Sequence, residues 1–518
     1  MRRSASRPSA SVPRRAGWLA LVVCLAACRG GGVEDAPDTP GPQPGVNTWD
    51  VGTTLRIEPE TGEIDGQTVL FVQHPDSLDV LHLGLDASLE VTEARVNDRL
   101  VTPDRRGARL SVPVNGKRST VQIDYRGIPD VGVYREDTEA GTVVWTDGWP
   151  TRTAGWLPAV HHPSDPFRFE LRLNVPEAFE VVASGTLMSE FVVDGRRRAR
   201  FKVSESAPTY TLAWAAADFA FTDQPGSVPI RHVTLARDSA SVAFLSRTPA
   251  LLDTLAAMFG PLPYGRFATV QVPLVYAGME NAAAPFFQDD LYDRPATLEE
   301  VVIHEAVHQW WGNDVTPADW HDLWLAEGPA TYFTAETLRR LDGERAFRES
   351  LVRMAFVDGR SATRRLVPSR LGEPEDALTA TPYQKGGSVL HLLRLTLGEE
   401  AFFRALRQTL ASYDDRPLST VGFQTELERA SDLDLDAFFQ RWVYGTGVPA
   451  LTTRWDRATR TLSWEVESGW GLEGLGAELL VQQDGTTDRY VSLDDGVASL
   501  PGEDRPRVLP VGWLADVD

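Results

Sequence analysis

Beyond residue 46 the chain alternates short apolar and polar runs. The stretches 68–72, 120–125, 167–175 and 210–214 are rich in β-branched and aromatic residues and are punctuated by Gly, Pro and Asp. Such runs predict strands that bury one face, so 47–222 is expected to form an antiparallel β domain. From 223 to 447 the apolar spacing lengthens to that of helices. From 448 to 518 it shortens again, with strands expected at 452–455, 461–466, 478–482 and 490–493. The last segment reads as a small β-sandwich. No internal repeat is present. The expected fold is multidomain, with a mainly helical α+β domain between two β domains.

Two helices in the middle segment can be bounded. Thr297-Leu298-Glu299-Glu300 has the form of a capping box, Val301, Val302, Ala306 and Trp310 supply an apolar face, and Gly312-Asn313 closes the pattern. A second helix is expected over 323–341, stopping at Asp342-Gly343. Pro329 suits a first turn better than a helix interior, which places Glu327 near the start of that helix.

The N-terminus follows a different rule. Arg2, Arg3, Arg7, Arg14 and Arg15 precede a short apolar run at 18–25, too short to span a bilayer as a mature helix. Leu25-Ala26-Ala27-Cys28 follows and resembles a bacterial lipobox. The resemblance implies a signal peptide at 1–27, lipid on Cys28 and a cell-envelope location, outer membrane or periplasm-facing. Residues 28–46 read as a flexible Gly/Pro/Asp-rich tether. Without 1–27, Cys28 is the only cysteine, so no intramolecular disulfide can form.

Composition narrows the picture further. A length of 518 residues with 42% hydrophobic and 24% charged residues suits several globular cores. A formal charge of −22 argues against nucleic acid as a partner. Only Lys117, Lys202 and Lys385 are lysines, which draws notice to the place of Lys385.

The candidate chemistry lies in the predicted helix pair. His304-Glu305-Ala306-Val307-His308 spaces two histidines at i and i+4, one turn apart on one helix face. Glu327 follows after 18 intervening residues. Two imidazoles and one carboxylate make a three-ligand zinc site whose fourth position stays open, as a catalytic site requires. Glu305 flanks that position, where it can accept a proton from water. His161, His162, His321 and His391 read as hydrogen-bonding or surface residues, with His321 close enough in sequence to support the site.

The sequence resembles the aminopeptidase N and leukotriene hydrolase family of gluzincin metallopeptidases. The resemblance rests on His304-Glu305-x-x-His308 with Glu327, on Trp310-Trp311-Gly312-Asn313, on Gly278-Met279-Glu280-Asn281 upstream, on Tyr383-Gln384-Lys385-Gly386 downstream and on the domain order. It implies a thermolysin-like catalytic domain, one Zn²⁺ per chain and hydrolysis of N-terminal residues from peptides. It further implies that Glu280 holds the substrate's free α-ammonium within a substrate-binding segment of Gly278, Met279, Glu280 and Asn281, and that Tyr383 donates to the oxyanion. Gly278 suits close approach of a substrate backbone, and 270–276 is expected to be an edge strand able to pair with a peptide. Lys385 is expected to be structural or electrostatic.

The sequence departs from the family at a second amine anchor. Relatives carry Glu or Gln where this chain has Trp149, and Asp147 is the nearby candidate substitute. The altered anchor supports an alternative reading, a non-catalytic, lipid-anchored peptide-binding protein. The presence of Glu305 and Tyr383 counts against it.

Overall fold

The computed structural model describes residues 40–138, 141–355, 364–483, 487–513 and 515–517. The expected signal peptide and Cys28 lie outside the described residues. Among the described residues, no single helix is long and apolar enough to cross a membrane.

The N-terminal region is built on an eight-stranded sheet. Two of its longest strands, Asn47–Glu58 and Glu63–Gln73, form a hairpin at its centre. Burial alternates residue by residue along Glu63–Gln73, the outcome that a period of two demands. The sheet is antiparallel except where Asn47–Glu58 runs parallel to Phe167–Pro176. A four-stranded sheet carries Gly141–Thr146, and its strand leads directly to Asp147 and Trp149.

The strand Phe219–Gln224 crosses the expected 222/223 boundary and belongs to the next sheet. That five-stranded sheet has the order Phe219–Gln224, Ile230–Leu235, Phe267–Val272, Phe286–Gln288, Gly278–Met279. The expectation of an edge strand at 270–276 is corrected here. Phe267–Val272 is central, parallel to both neighbours and buried at all six positions. A strand buried on both faces reads as a continuous apolar run, not an alternating one. The edge is instead the two-residue strand Gly278–Met279, antiparallel to Phe286–Gln288.

Among the described residues, eight helices accompany this sheet: α1 (Thr248–Phe259), α2 (Pro295–Val307), α3 (Trp324–Asp342), α4 (Glu344–Ala355), α5 (Gly386–Leu397), α6 (Glu399–Tyr413), α7 (Thr420–Ser431) and α8 (Asp436–Trp442). The expected capping box on α2 does not form. The helix starts at Pro295, whose fixed φ and missing N–H suit the first position, and Arg294 makes no side-chain cap. Thr297 therefore lies inside the helix, and Glu299 and Glu300 pair with Arg247 and Arg353. The helix also ends earlier than expected, at Val307. α3 closes at Gly343 with φ of 90°, as the sequence predicted, and Pro329 is its sixth residue, leaving Glu327 in the first turn.

The C-terminal segment folds into two small sheets, centred on the pair Ala450–Asp456 and Thr461–Val466 and on Glu478–Gln483. Its Leu479, Leu480 and Trp513 join the apolar core of α1–α8. Arg348 also forks onto Glu478, with both contacts at 2.8 Å. A half-exposed ion pair adds about 0–1 kcal/mol, whereas each buried large apolar side chain adds about 1.5–3 kcal/mol. Apolar packing therefore holds this domain in place.

Candidate active site

α2 and α3 cross so that three donor atoms converge. His304 Nε2 lies 3.5 Å, and His308 Nε2 3.4 Å, from Glu327 Oε2. All three ligand atoms lie within 4.8 Å of one another. These separations are too long for good hydrogen bonds, and Glu327 Oε2 is buried without a hydrogen-bond partner. Buried polar atoms are rarely left so. Three ligand atoms drawn together, two imidazole nitrogens and one carboxylate oxygen, fit a zinc ion.

Local structure explains the convergence. The chain leaves α2 at His308 and turns back through Gly312, whose φ of +117° sets the turn. Asn313 N–H donates to His308 O at 3.1 Å. His308 Nδ1 lies 3.0 Å from Trp311 O, and donating its proton to that carbonyl leaves Nε2 free to bind metal. A Cβ at Gly312 would sit 3.3 Å from His308 Nδ1 and 3.2 Å from Ala326 Cβ, so this glycine lets the turn pack on the start of α3.

Glu305 is buried beside the edge strand. A Cβ on Gly278 would lie 2.2 Å from Glu305 Oε1. What approaches Gly278 closely is thus the catalytic candidate's own carboxylate, a role the sequence did not reveal. Met279 turns its side chain into the apolar core, and Asn281 is fully buried with neither amide atom paired. Glu280 is the member of this segment that brings a charge. Gln309, just past the second histidine, ties the two segments together. Its Nε2 donates to Glu280 O at 3.3 Å and Glu305 O at 3.1 Å, and its Oε1 accepts from Ala283 N at 2.8 Å. Asn313 Nδ2 donates to Glu280 O at 2.5 Å.

The electrostatics separate the acids. Burial raises the Glu305 carboxyl well above the usual range, with Glu280 and Glu327 adding and His308 opposing. Burial likewise pushes Glu280 up to about 7, Glu327 adding and His308 opposing. For Glu327 burial acts upward, but His308 and His304 outweigh it and hold it at about 2. Against burial, Glu327, Glu280 and Glu305 raise His308 to about 10. A surplus of negative charge around Nε2 calls for a cation there.

Tyr383 comes from a single π-helical turn, Thr381–Lys385, leading into α5. Its ring stacks on His304, centroids 6.1 Å apart and planes 13° from parallel. The turn is held against α3 by a glycine pair, since a Cβ on Gly386 would lie 3.0 Å from Gly328 Cα. Lys385 is fully buried, its Nζ donating to Arg364 O at 2.6 Å, and burial lowers it to about 8. It anchors the turn to the chain at 364.

Neither candidate for the second amine anchor offers a free carboxylate. Asp147 is buried and accepts from Arg152 at 2.6 Å, from the Trp149 N–H at 3.1 Å and from the Tyr276 hydroxyl. Trp149 presents its ring, edge-on to Tyr210 at 5.4 Å and to Trp320 at 5.0 Å. Tyr210 in turn donates to Gly312 O at 3.0 Å. His321 pairs with Asp319, and His161 and His391 are buried away from the donor cluster.

Gln309, Tyr210, Arg152 and the Gly328–Gly386 contact were not picked out from the sequence. Only Gln309 had a signal, its place next to His308.

Known proteins resemble this chain in sequence and in fold. Residues 245–442 match the peptidase family M1 domain. A leucyl aminopeptidase of Saccharolobus solfataricus is 22% identical over 429 residues, 78% of this chain and 54% of that protein. Aminopeptidase B of Rattus norvegicus is 25% identical over 327 residues, 59% of this chain and 50% of that protein. The chain thus spans about half the length of these curated relatives. The crystal structure of an M1 zinc metallopeptidase variant from Deinococcus radiodurans, bound to a Tyr-Ser-Ala substrate, superposes with a TM-score of 0.70. It is 25% identical, and the match covers 79% of this chain and 96% of that one. The fold is that of the M1 zinc metallopeptidases.

Proposed function

We propose that this protein is a zinc-dependent aminopeptidase that removes N-terminal residues from peptides. The observation that carries the reading is the convergence of His304, His308 and Glu327 on one point, with Glu305 buried beside it and Tyr383 stacked on His304. His304, His308 and Glu327 would hold the metal, which when bound supplies Lewis acidity to a peptide carbonyl and acidifies water.

The chain's own residues do the rest. Glu305, raised by burial, accepts a proton from the attacking water and delivers one to the leaving amine. The Tyr383 hydroxyl donates to the oxyanion as it develops. Glu280 pairs with the α-ammonium of the first residue, which restores a charge partner to a carboxyl that burial disfavours. The amine end is otherwise walled by the Trp149 ring. The peptide can add to the sheet edge at Gly278–Met279.

The test compares leucyl and alanyl fluorogenic amides with their N-acetyl forms, with and without chelator. Cleavage of the free-amine forms, lost with chelator, is expected, and Glu280→Ala should narrow their advantage over the blocked forms. Equal cleavage of free and acetylated forms, or no cleavage by the zinc-loaded protein, overturns the reading.

The proposal extends to location. Leu25-Ala26-Ala27-Cys28 supports lipid attachment at Cys28 and a place in the cell envelope. Cys28→Ser should abolish fatty-acid labelling; labelling that persists in this variant rules the anchor out.

A further inference from the structure

A cavity of about 400 Å³ opens between the start of α3 and the turn that carries Tyr383. Two of its walls adjoin residues of the proposed site. On one side stands Trp320, whose ring also packs on Trp149 and, at 5.6 Å, on Tyr210. Tyr210 lies within the electrostatic reach of Glu280 and Glu327. On the other side stand Thr381 and Pro382, next in the chain to Tyr383. Trp320 and Pro382 are thus the lining residues that adjoin the proposed site.

The rim carries Arg364, Arg365 and Arg370, all exposed. The chain has a formal charge of −22, and many of its arginines pair with carboxylates, yet these three enter no ion pair among the described residues. The carboxylate that shares the lining, Asp376, is turned to its own backbone and accepts from Glu373 N at 3.2 Å. His321, the remaining titratable group of the lining, is paired with Asp319. The rim is therefore cationic, and it meets a space large enough for an extended side chain.

We infer that this cavity receives the side chain of the substrate's first residue and that Arg364, Arg365 and Arg370 give it a preference for an acidic one, glutamate or aspartate. The inference rests on the aminopeptidase reading above. Guanidinium groups match a carboxylate in charge and in planar donor geometry. Because the three side chains are exposed, each contributes modestly and the preference weakens in salt.

The experiment uses the zinc-loaded protein with glutamyl and glutaminyl 4-nitroanilides, which match in shape and differ in charge. The Glu-to-Gln ratio of kcat/KM should exceed one and fall with added sodium chloride. Replacing the three arginines together (Arg364→Gln, Arg365→Gln, Arg370→Gln) should lower that ratio roughly tenfold. The three single variants, scored by the same ratio, carry the test if the triple variant fails to fold. A wild-type ratio at or below one, or a ratio unmoved by the substitutions, overturns the inference while leucyl amide cleavage leaves the aminopeptidase reading standing. Failure to cleave any free-amine substrate overturns both.

Discussion

Glu280, Glu305 and Glu327 are three buried acids within reach of the His308 imidazole, yet they are driven in different directions. Glu327 is held ionised at about 2 by His308 and His304, which suits a permanent ligand. Glu305 is raised by burial, which suits a group that must take up a proton and give it back. Exchanging Glu305 for Gln keeps the shape and removes the basicity. Zinc content should stay at one per chain while kcat falls by about 10²–10⁴. Retention of most of the rate, or loss of the metal, would return Glu305 to a structural role. Gly278→Ala probes the same carboxylate from outside. The added Cβ would come within 2.2 Å of Glu305 Oε1, so the carboxylate must move. A displacement of this order at a reacting group costs about 10²-fold in rate, with zinc content unchanged because the three ligands lie elsewhere. A rate near wild type in Gly278→Ala would mean that the position of Glu305 is not critical.

At the scale of elements, the site depends on how α3 meets α5. Glu327 hangs from the first turn of α3, and Tyr383 from the π turn ahead of α5. Gly328 and Gly386 let the two backbones touch, with a Cβ at Gly386 only 3.0 Å from Gly328 Cα. Gly386→Val should push the helices apart, costing about 1–3 kcal/mol in urea unfolding, and should lower kcat as Tyr383 leaves His304. Unaltered stability and rate would show slack at this crossing. Both glycines were visible in the sequence beside the functional residues. Their contact was not, because spacing along a chain reports which face a residue takes on its own helix and not which distant backbone it meets. The same limit explains other differences. The histidine spacing was legible because one helical period fixes it, and Glu327 because its motif sits at the start of the second predicted helix. The start of α2 was misplaced because Thr297 and Glu300 matched a capping pattern that Pro295, two residues earlier, pre-empted. The edge strand was misplaced because the run at 267–272 is apolar at most positions, which marks a strand with neighbours on both sides.

For the whole molecule, the C-terminal sandwich and the catalytic helices share one core, and His391 lies at their junction. This residue of α5 is buried beneath Gly512, where a Cβ would sit 2.5 Å from the ring, and its Nδ1 is 3.5 Å from the Tyr332 hydroxyl. Phe347 packs edge-on at 5.9 Å. Burial, with Arg394 adding, holds the imidazole at about 3, against about 6.5 in an unfolded chain. Between these values the unfolded state binds a proton here and the native state does not, so falling pH favours unfolding. The stability that His391 contributes is complete above pH 6.5 and is lost at up to about 1.4 kcal/mol per pH unit below it. His391→Asn removes the titrating group, so its unfolding free energy should decline less steeply than that of the wild type between pH 6.5 and 4. Urea unfolding of both proteins, metal-free so that the zinc ligands contribute equally, gives the comparison. Because the other buried acids and histidines are common to both chains, their contributions cancel in the difference. Parallel curves across that window would mean that the ring is already charged in the native junction, and that the sandwich is not docked against α5 through a neutral His391.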